Sequence, residues 1–140
     1  MTQPIFDTST TAVQRVAHAL TGAASVAAHH VFTQLDADAA QASAQRCDAE
    51  AQAGRSLGDL HGVCITLKDN IDVAGETTMA GGVVCAGEAP ALYDAPVVQR
   101  LREAGAVVLG KTNMSEFAFS GVGINPHHGT PANPADPSHA

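Results

Sequence analysis

Between Thr11 and Ala24 apolar residues recur at helical spacing, at Val13, Val16, Ala17, Leu20 and Ala24. Thr11 and Gln14 stand three apart, the separation at which a hydroxyl and an amide cap each other's backbone N–H groups. This predicts a first helix that runs on to His29–His30. A second is predicted from about Ala37 to Ala53, with Asp36 as its N-cap and Gly54 as its stop. Its residues favour helix but include few bulky apolar ones, so it should lie on a surface rather than form a core. Three glycines between Gly54 and Gly62 mark a connection. Val63, Ile65 and Leu67 then alternate with Cys64, Thr66 and Lys68, the period of a strand. The stretch 74–91 has no firm period and reads as loop with at most one short element.

Regularity returns at Asp94, the expected cap of a helix with Pro96 in its first turn. Gly105 suits the residue just past that helix, and Ala106–Leu109 is a short apolar run of the kind found in buried strands. Asn113 and Glu116 have capping-box spacing and predict a short helix over MSEFAFS. From Gly121 onward Pro, Gly and Asn predominate, and the chain reads as irregular.

Composition narrows the function classes. The chain has 140 residues, enough for one core, and its formal net charge of -7 with only seven Lys and Arg argues against binding a phosphate backbone. No apolar run is long enough to span a membrane, and the N-terminus lacks the order of a signal peptide. The cysteines, Cys47, Cys64 and Cys85, make no C-x-x-C pair, consistent with free thiols in a cytoplasmic protein. The histidines, His29–His30 and His127–His128 among them, show no metal-ligand spacing and are expected in solvent or packed in loops.

Two lysines carry candidate chemistry. GAVVLGKT, Gly105 to Thr112, matches the phosphate-loop pattern G-x-x-x-x-G-K-[ST]. A phosphate loop follows a strand, however, and here a helix comes first while the middle residues want to be the strand themselves. Gly105 is better explained as a helix stop, and Lys111 as a strand-end residue with its charge hydrated or paired. Lys68 ends the alternating strand, just before Asp69 and Asn70, and strand ends in α/β folds are where sites collect. A semi-buried lysine there could act as a base, provided its pKa falls by about 3 units, ~4 kcal/mol of differential solvation. The plain structural reading of Lys68 is a surface lysine paired with Asp69 or Asp72.

The stretch LGDLHGVCITLKDNIDVAGETTMAGG, Leu57 to Gly82, resembles the opening motif of the amidase signature family. Asp94 to Pro134, with GKTNMSEF inside it, resembles that family's next helix, strand and approach to the active site. The resemblance implies an α/β fold, helices packed on a mixed sheet. It divides the chain into an N-terminal helical segment, 1–56, and the start of the amidase domain, 57–140. It further implies hydrolysis of carboxamide C–N bonds by a Ser-cis-Ser-Lys mechanism on a small-molecule amide, with no metal and no cofactor, no direct contact with nucleic acid or membrane, and a homodimer as one allowed state. Lys68 matches the lysine of K-D-N-I-D and is the expected general base. Met114, Phe117 and Phe119 could line the substrate channel, although apolar residues at this spacing more commonly pack in a core.

Three departures stand out. Cys64 occupies a position usually held by proline, and Gly82 one where serine is common. Cys64, mid-strand, is expected to be inert. The third is larger: the Gly/Ser-rich stretch that holds the cis serine, and the nucleophilic serine beyond it, have no counterpart in these residues. Ser115, Ser120 and Ser138 match neither serine. The expectation is therefore the N-terminal part of an amidase fold, incomplete, inactive alone, and poorly soluble or partly ordered. Alternatives are the A subunit of a glutamyl-tRNA amidotransferase, a non-catalytic remnant and, most weakly, a nucleotide-binding module.

Overall fold

In the computed structural model, which describes residues 9–25, 28–136 and 138–139, the chain runs α1 (Ala12–Ala23), β1 (Phe32–Leu35), α2 (Ala37–Gln52), β2 (Cys64–Lys68), α3 (Pro96–Glu103) and β3 (Val107–Thr112). Short 3-10 turns occupy Val84–Gly87 and Glu116–Ala118. The strands form one sheet in the order β1-β3-β2, with β1 antiparallel and β2 parallel to β3. Two parallel neighbours need a long crossover, which here carries α3.

The capping box of α1 is present: Gln14 N donates to Thr11 Oγ1 and Thr11 N to Gln14 Oε1. Two further N–H groups of the first turn, on Ala12 and Val13, donate to Asp48 of α2 at 2.7 and 3.1 Å. A carboxylate at a helix N-terminus also suits the helix dipole. The helix ends at Ala23, short of His29–His30, and of its expected face Val16 and Leu20 turn inward while Val13 and Ala17 do not. Ala12 and Val16 are buried, Ala19 and Leu20 pack beside them, and Val13 is exposed.

β1 is not among the elements the pattern predicts. Its four residues, FTQL, are too few to show a period. α2 keeps its predicted ends, with the Asp36 side chain accepting from Ala39 N at 2.9 Å. Its place differs from the expectation. Ala40, Ala44 and Cys47, spaced for one face, are fully buried against α1 and β3, in a cluster with Val16, Val107 and Leu109. The small side chains that suggested a surface helix are what allow the close approach.

The N-cap of α3 is Ala95, and no side chain caps it. Pro96 at the first helical position holds Ala95 extended, so Asp94 falls one residue outside. Asp94 instead accepts from Ala74 N at 2.8 Å and pairs with Arg102 at 3.0 Å. Gly105 follows α3 with φ +90, and a Cβ there would lie 2.9 Å from His61 Cα. It is the expected helix stop, and β3 begins two residues later.

β3 runs farther than the apolar run that announced it, through Gly110, Lys111 and Thr112. Ile65 pairs with Val108 and Leu67 with Lys111, so two steps along β2 match three along β3. This bulge moves Lys111 off the face of Val107 and Leu109 and onto that of Val108 and Leu67. Gly110 lies at the irregularity because any Cβ there would collide with Gln34 O of β1. Lys111 is consequently 0% exposed, contrary to the expected hydrated or simply paired lysine. Its face joins a second cluster built on Leu67, Val73 and Val98.

No capping box opens the MSEFAFS segment. Asn113 Nδ2 donates to the carbonyls of His30 and Gly129, at 2.9 and 2.7 Å, and Ser115 is the cap of a three-residue turn. Phe117 and Ala118 have φ of +50 and +56, which a helix does not accommodate.

Candidate active site

Lys68 is the last residue of β2, opposite Thr112 of β3. Its side chain is exposed, which corrects the expectation of a semi-buried amine. No ion pair among the described residues involves it: Asp69 turns inward and Asp72 accepts from Thr78 Oγ1 at 2.6 Å. The surface pairing expected for Lys68 is therefore not formed either.

Directly behind Lys68 lies a buried polar hub. Asp69, 1% exposed, donates its N–H to Thr112 O at 3.1 Å and accepts from Ala80 N through its carbonyl at 3.0 Å. Its Oδ2 accepts from Gly81 N at 2.9 Å, while its Oδ1 has no partner among the described residues. Asn125 closes the hub from the far side, its Nδ2 donating to the carbonyls of Gly81 and Met114, each at 2.7 Å. Asn125 Oδ1 accepts from the N–H groups of His127 and His128. Gly81 has φ +71, and a Cβ there would lie 2.6 Å from Met114 O, so the hub closes only around a glycine. The K-D-N turn, the T-M-A-G-G loop and the I-N-P-H-H loop are thereby held as one unit. Asp69 and Asn125 were not singled out as functional by sequence reasoning; the signal available for Asp69 was its place between Lys68 and Asn70.

Next to this hub a groove of about 340 Å³ runs along Ser115, Phe117, Phe119, Ser120, Ile124 and Pro126, with Glu116 on its wall. Phe117 is 55% and Phe119 96% exposed, so neither packs in a core. Met114 is buried and does not line the groove. Ser115 Oγ is buried without a partner among the described residues. Glu116 faces His127 Nε2 at 3.3 Å. Gly82, one of the departures from the family motif, lies against Glu116, whose Oε1 would be 2.7 Å from a Cβ there. Lys68 is not among the lining residues, so the chain connects Lys68 and the groove through the hub and not in one cavity.

Other candidates separate cleanly. Ser138, His139 and Asp136 touch, but His139 Nδ1 alone meets both Ser138 Oγ, at 3.1 Å, and Asp136 Oδ2, at 2.9 Å. A relay needs both ring nitrogens, so this exposed cluster is a turn and not a triad. Burial pushes the Cys64 thiol up, which disfavours the reactive thiolate. Among the described residues no group of three His, Cys, Asp or Glu is placed to hold a metal. Gly105–Thr112 is a helix stop followed by β3: Gly105 N and Ala106 N donate to Arg102 O and Leu101 O at the end of α3, and β3 pairs in the sheet, so these donors are not gathered around an anion.

The family model described as Amidase matches residues 14–140. The chain belongs to the amidase family. Within it, the chain is 45% identical over 107 residues to the A subunit of the glutamyl-tRNA(Gln) amidotransferase of Acidothermus cellulolyticus, covering 76% of this chain and 21% of that protein. It is 44% identical to the indoleacetamide hydrolase of Bradyrhizobium diazoefficiens, covering 76% and 20%. Its fold superposes on the peptide amidase of Stenotrophomonas maltophilia with a TM-score of 0.82 at 35% identity, over 94% of this chain and 28% of that one. The chain thus spans between about a fifth and three tenths of the length of these amidase relatives. The mixed sheet with packed helices is the start of the amidase fold, and the G-K-T of β3 is part of that fold.

Proposed function

We propose that these residues supply the general base and one wall of the substrate groove for hydrolysis of a carboxamide C–N bond. The observation that carries this reading is the family match over 14–140, which includes the K-D-N-I-D motif and leaves Lys68 at the open end of β2. In the mechanism the motif implies, neutral Lys68 accepts a proton from a serine hydroxyl, and that serine accepts one from the nucleophilic serine. The nucleophile adds to the amide carbon, the C–N bond breaks as the amine takes up a proton, and water releases the acyl group. Both serines lie outside these 140 residues. Water exclusion around Lys68, needed to favour its neutral form, must come from the same residues, because this chain leaves the side chain exposed.

Two features of this chain support a role in holding substrate. Phe117 and Phe119 present aromatic surface along the groove, which suits an apolar amide. Phe117 and Ala118 sit at positive φ beside it, and backbone strain of this kind collects at functional sites. The near-equal identities to an indoleacetamide hydrolase and to a tRNA amidotransferase favour neither substrate.

The test compares the 140-residue chain with the same chain supplied with a Gly/Ser-rich amidase portion, as one polypeptide or as two. Ammonia release from simple carboxamides is expected only in the second case, with Lys68→Ala reducing it by about 10²-fold to 10⁴-fold. Stability should change by less than about 0.5 kcal/mol, since Lys68 is exposed. Full turnover by Lys68→Ala, or by the 140 residues alone, would contradict the proposal.

A further inference from the structure

The β3 bulge has buried a lysine in a place where it gains little stability. Lys111 is 0% exposed, and the single hydrogen bond its ammonium donates among the described residues goes to the neutral Thr78 Oγ1, at 3.3 Å. No carboxylate among those residues reaches it within ion-pair distance. A buried cation with one weak neutral acceptor is costly, and an apolar side chain of the same length would commonly be neutral or stabilising.

What Lys111 does hold is the segment behind Lys68. Thr78 Oγ1 accepts from Lys111 and donates its own proton to Asp72 Oδ1 at 2.6 Å. Asp72 O accepts from Ala95 N, at the start of α3. Glu76 lies near enough for Lys111 to favour its charged form, and its Oε2 is buried without a partner among the described residues. So one cation on β3 contacts Thr78, acts on Glu76 and reaches Asp72 through Thr78, three polar residues of the stretch that starts at Lys68 and closes at Gly81. The other end of that stretch is fixed by Ile71 N to Lys68 O and by Ala80 N and Gly81 N to Asp69.

We propose that Lys111 is a positioning residue: through Thr78 and Asp72 it sets the conformation of residues 69–80 and so the direction from which Lys68 leaves the sheet. The functional part of this inference rests on Lys68 being the base. The structural part does not, and the two are separable by experiment.

Amide exchange followed by mass spectrometry on the 140-residue chain reads the segment directly. Lys111→Met and Thr78→Val should each speed exchange over 69–81 about ten-fold or more, with α1 and α2 unchanged and the thermal midpoint unchanged or raised. Thr78→Ser should restore wild-type exchange. A merely structural lysine would instead lower the midpoint and loosen the helices along with the segment, and that result would overturn the proposal. Unchanged exchange over 69–81 in both variants would overturn it too. Should Lys111→Met fail to fold, Thr78→Val carries the test. In an active amidase assembled with the remaining residues, Lys111→Met should lower kcat and leave KM nearly unchanged. If Lys68→Ala keeps full activity while the exchange results stand, the assignment of the base fails and the positioning of the segment survives.

Discussion

Lys68 and Lys111 show how far a residue can be read from its neighbours. Alternation in the strand and the K-D-N-I-D motif were enough to single out Lys68. The burial of Lys111 was not legible, because it depends on one extra residue in β3 that reverses the side to which the lysine points. Glu76 is a similar case. Burial raises its carboxyl pKa, with Lys111 partly opposing the shift. The folded chain therefore binds this proton more tightly than the unfolded chain does. Its contribution to stability is full below the ordinary carboxylate value of 4.5 and is lost as pH rises through the higher folded value. We expect Glu76→Gln to raise the thermal midpoint at pH 7, to change it little near pH 4, and to flatten its pH dependence between the two. Midpoints measured across that range check this. A variant less stable at pH 7 than at pH 4, relative to wild type, would show that the carboxylate is better satisfied than its burial implies.

Among the elements, α2 is the instructive one. Its ends were predicted correctly from Asp36 and Gly54, since caps are local. Its burial was misread, since a stripe of Ala40, Ala44 and Cys47 looks like low hydrophobicity until another surface comes close enough to meet it. That closeness gives a prediction. Ala44→Leu should cost about 1–3 kcal/mol in urea unfolding, because the added atoms have nowhere to go. Ala42→Leu on the exposed side of the same helix should change stability by less than about 0.5 kcal/mol. Equal effects at the two sites would mean that α2 is not packed as described. β1 was missed for the opposite reason: a four-residue strand has no period to detect, and only pairing with β3 defines it.

At the scale of the whole molecule the chain carries more apolar surface than its two small cores require. Phe119 is 96%, Leu92 83% and Tyr93 76% exposed, and Val122 and Ile124 are exposed as well, with Phe119 and Ile124 lining the groove. The amidase relatives are several times longer than this chain. The isolated chain is expected to self-associate as its concentration rises and to bind a hydrophobic dye, with Phe119→Ser reducing both. Light scattering and dye fluorescence report the result; a monomer at all concentrations, silent toward the dye, would contradict it. No helix among the described residues is long and apolar enough to cross a membrane, so this surface is not a helical span.

By itself the sequence determined the caps of α1 and α2, the β2 period, the stop at Gly105 and the motif that places Lys68. Each of these depends on residues within a few positions of one another along the chain. Tertiary structure alone decided the burial of Lys111, the hub joining Asp69, Gly81 and Asn125, and the exposure of Lys68. Those follow from which atoms meet across the sheet and the loops. Asn125 and Gly81, 44 positions apart, touch only because the chain has folded, and no local pattern encodes such a contact.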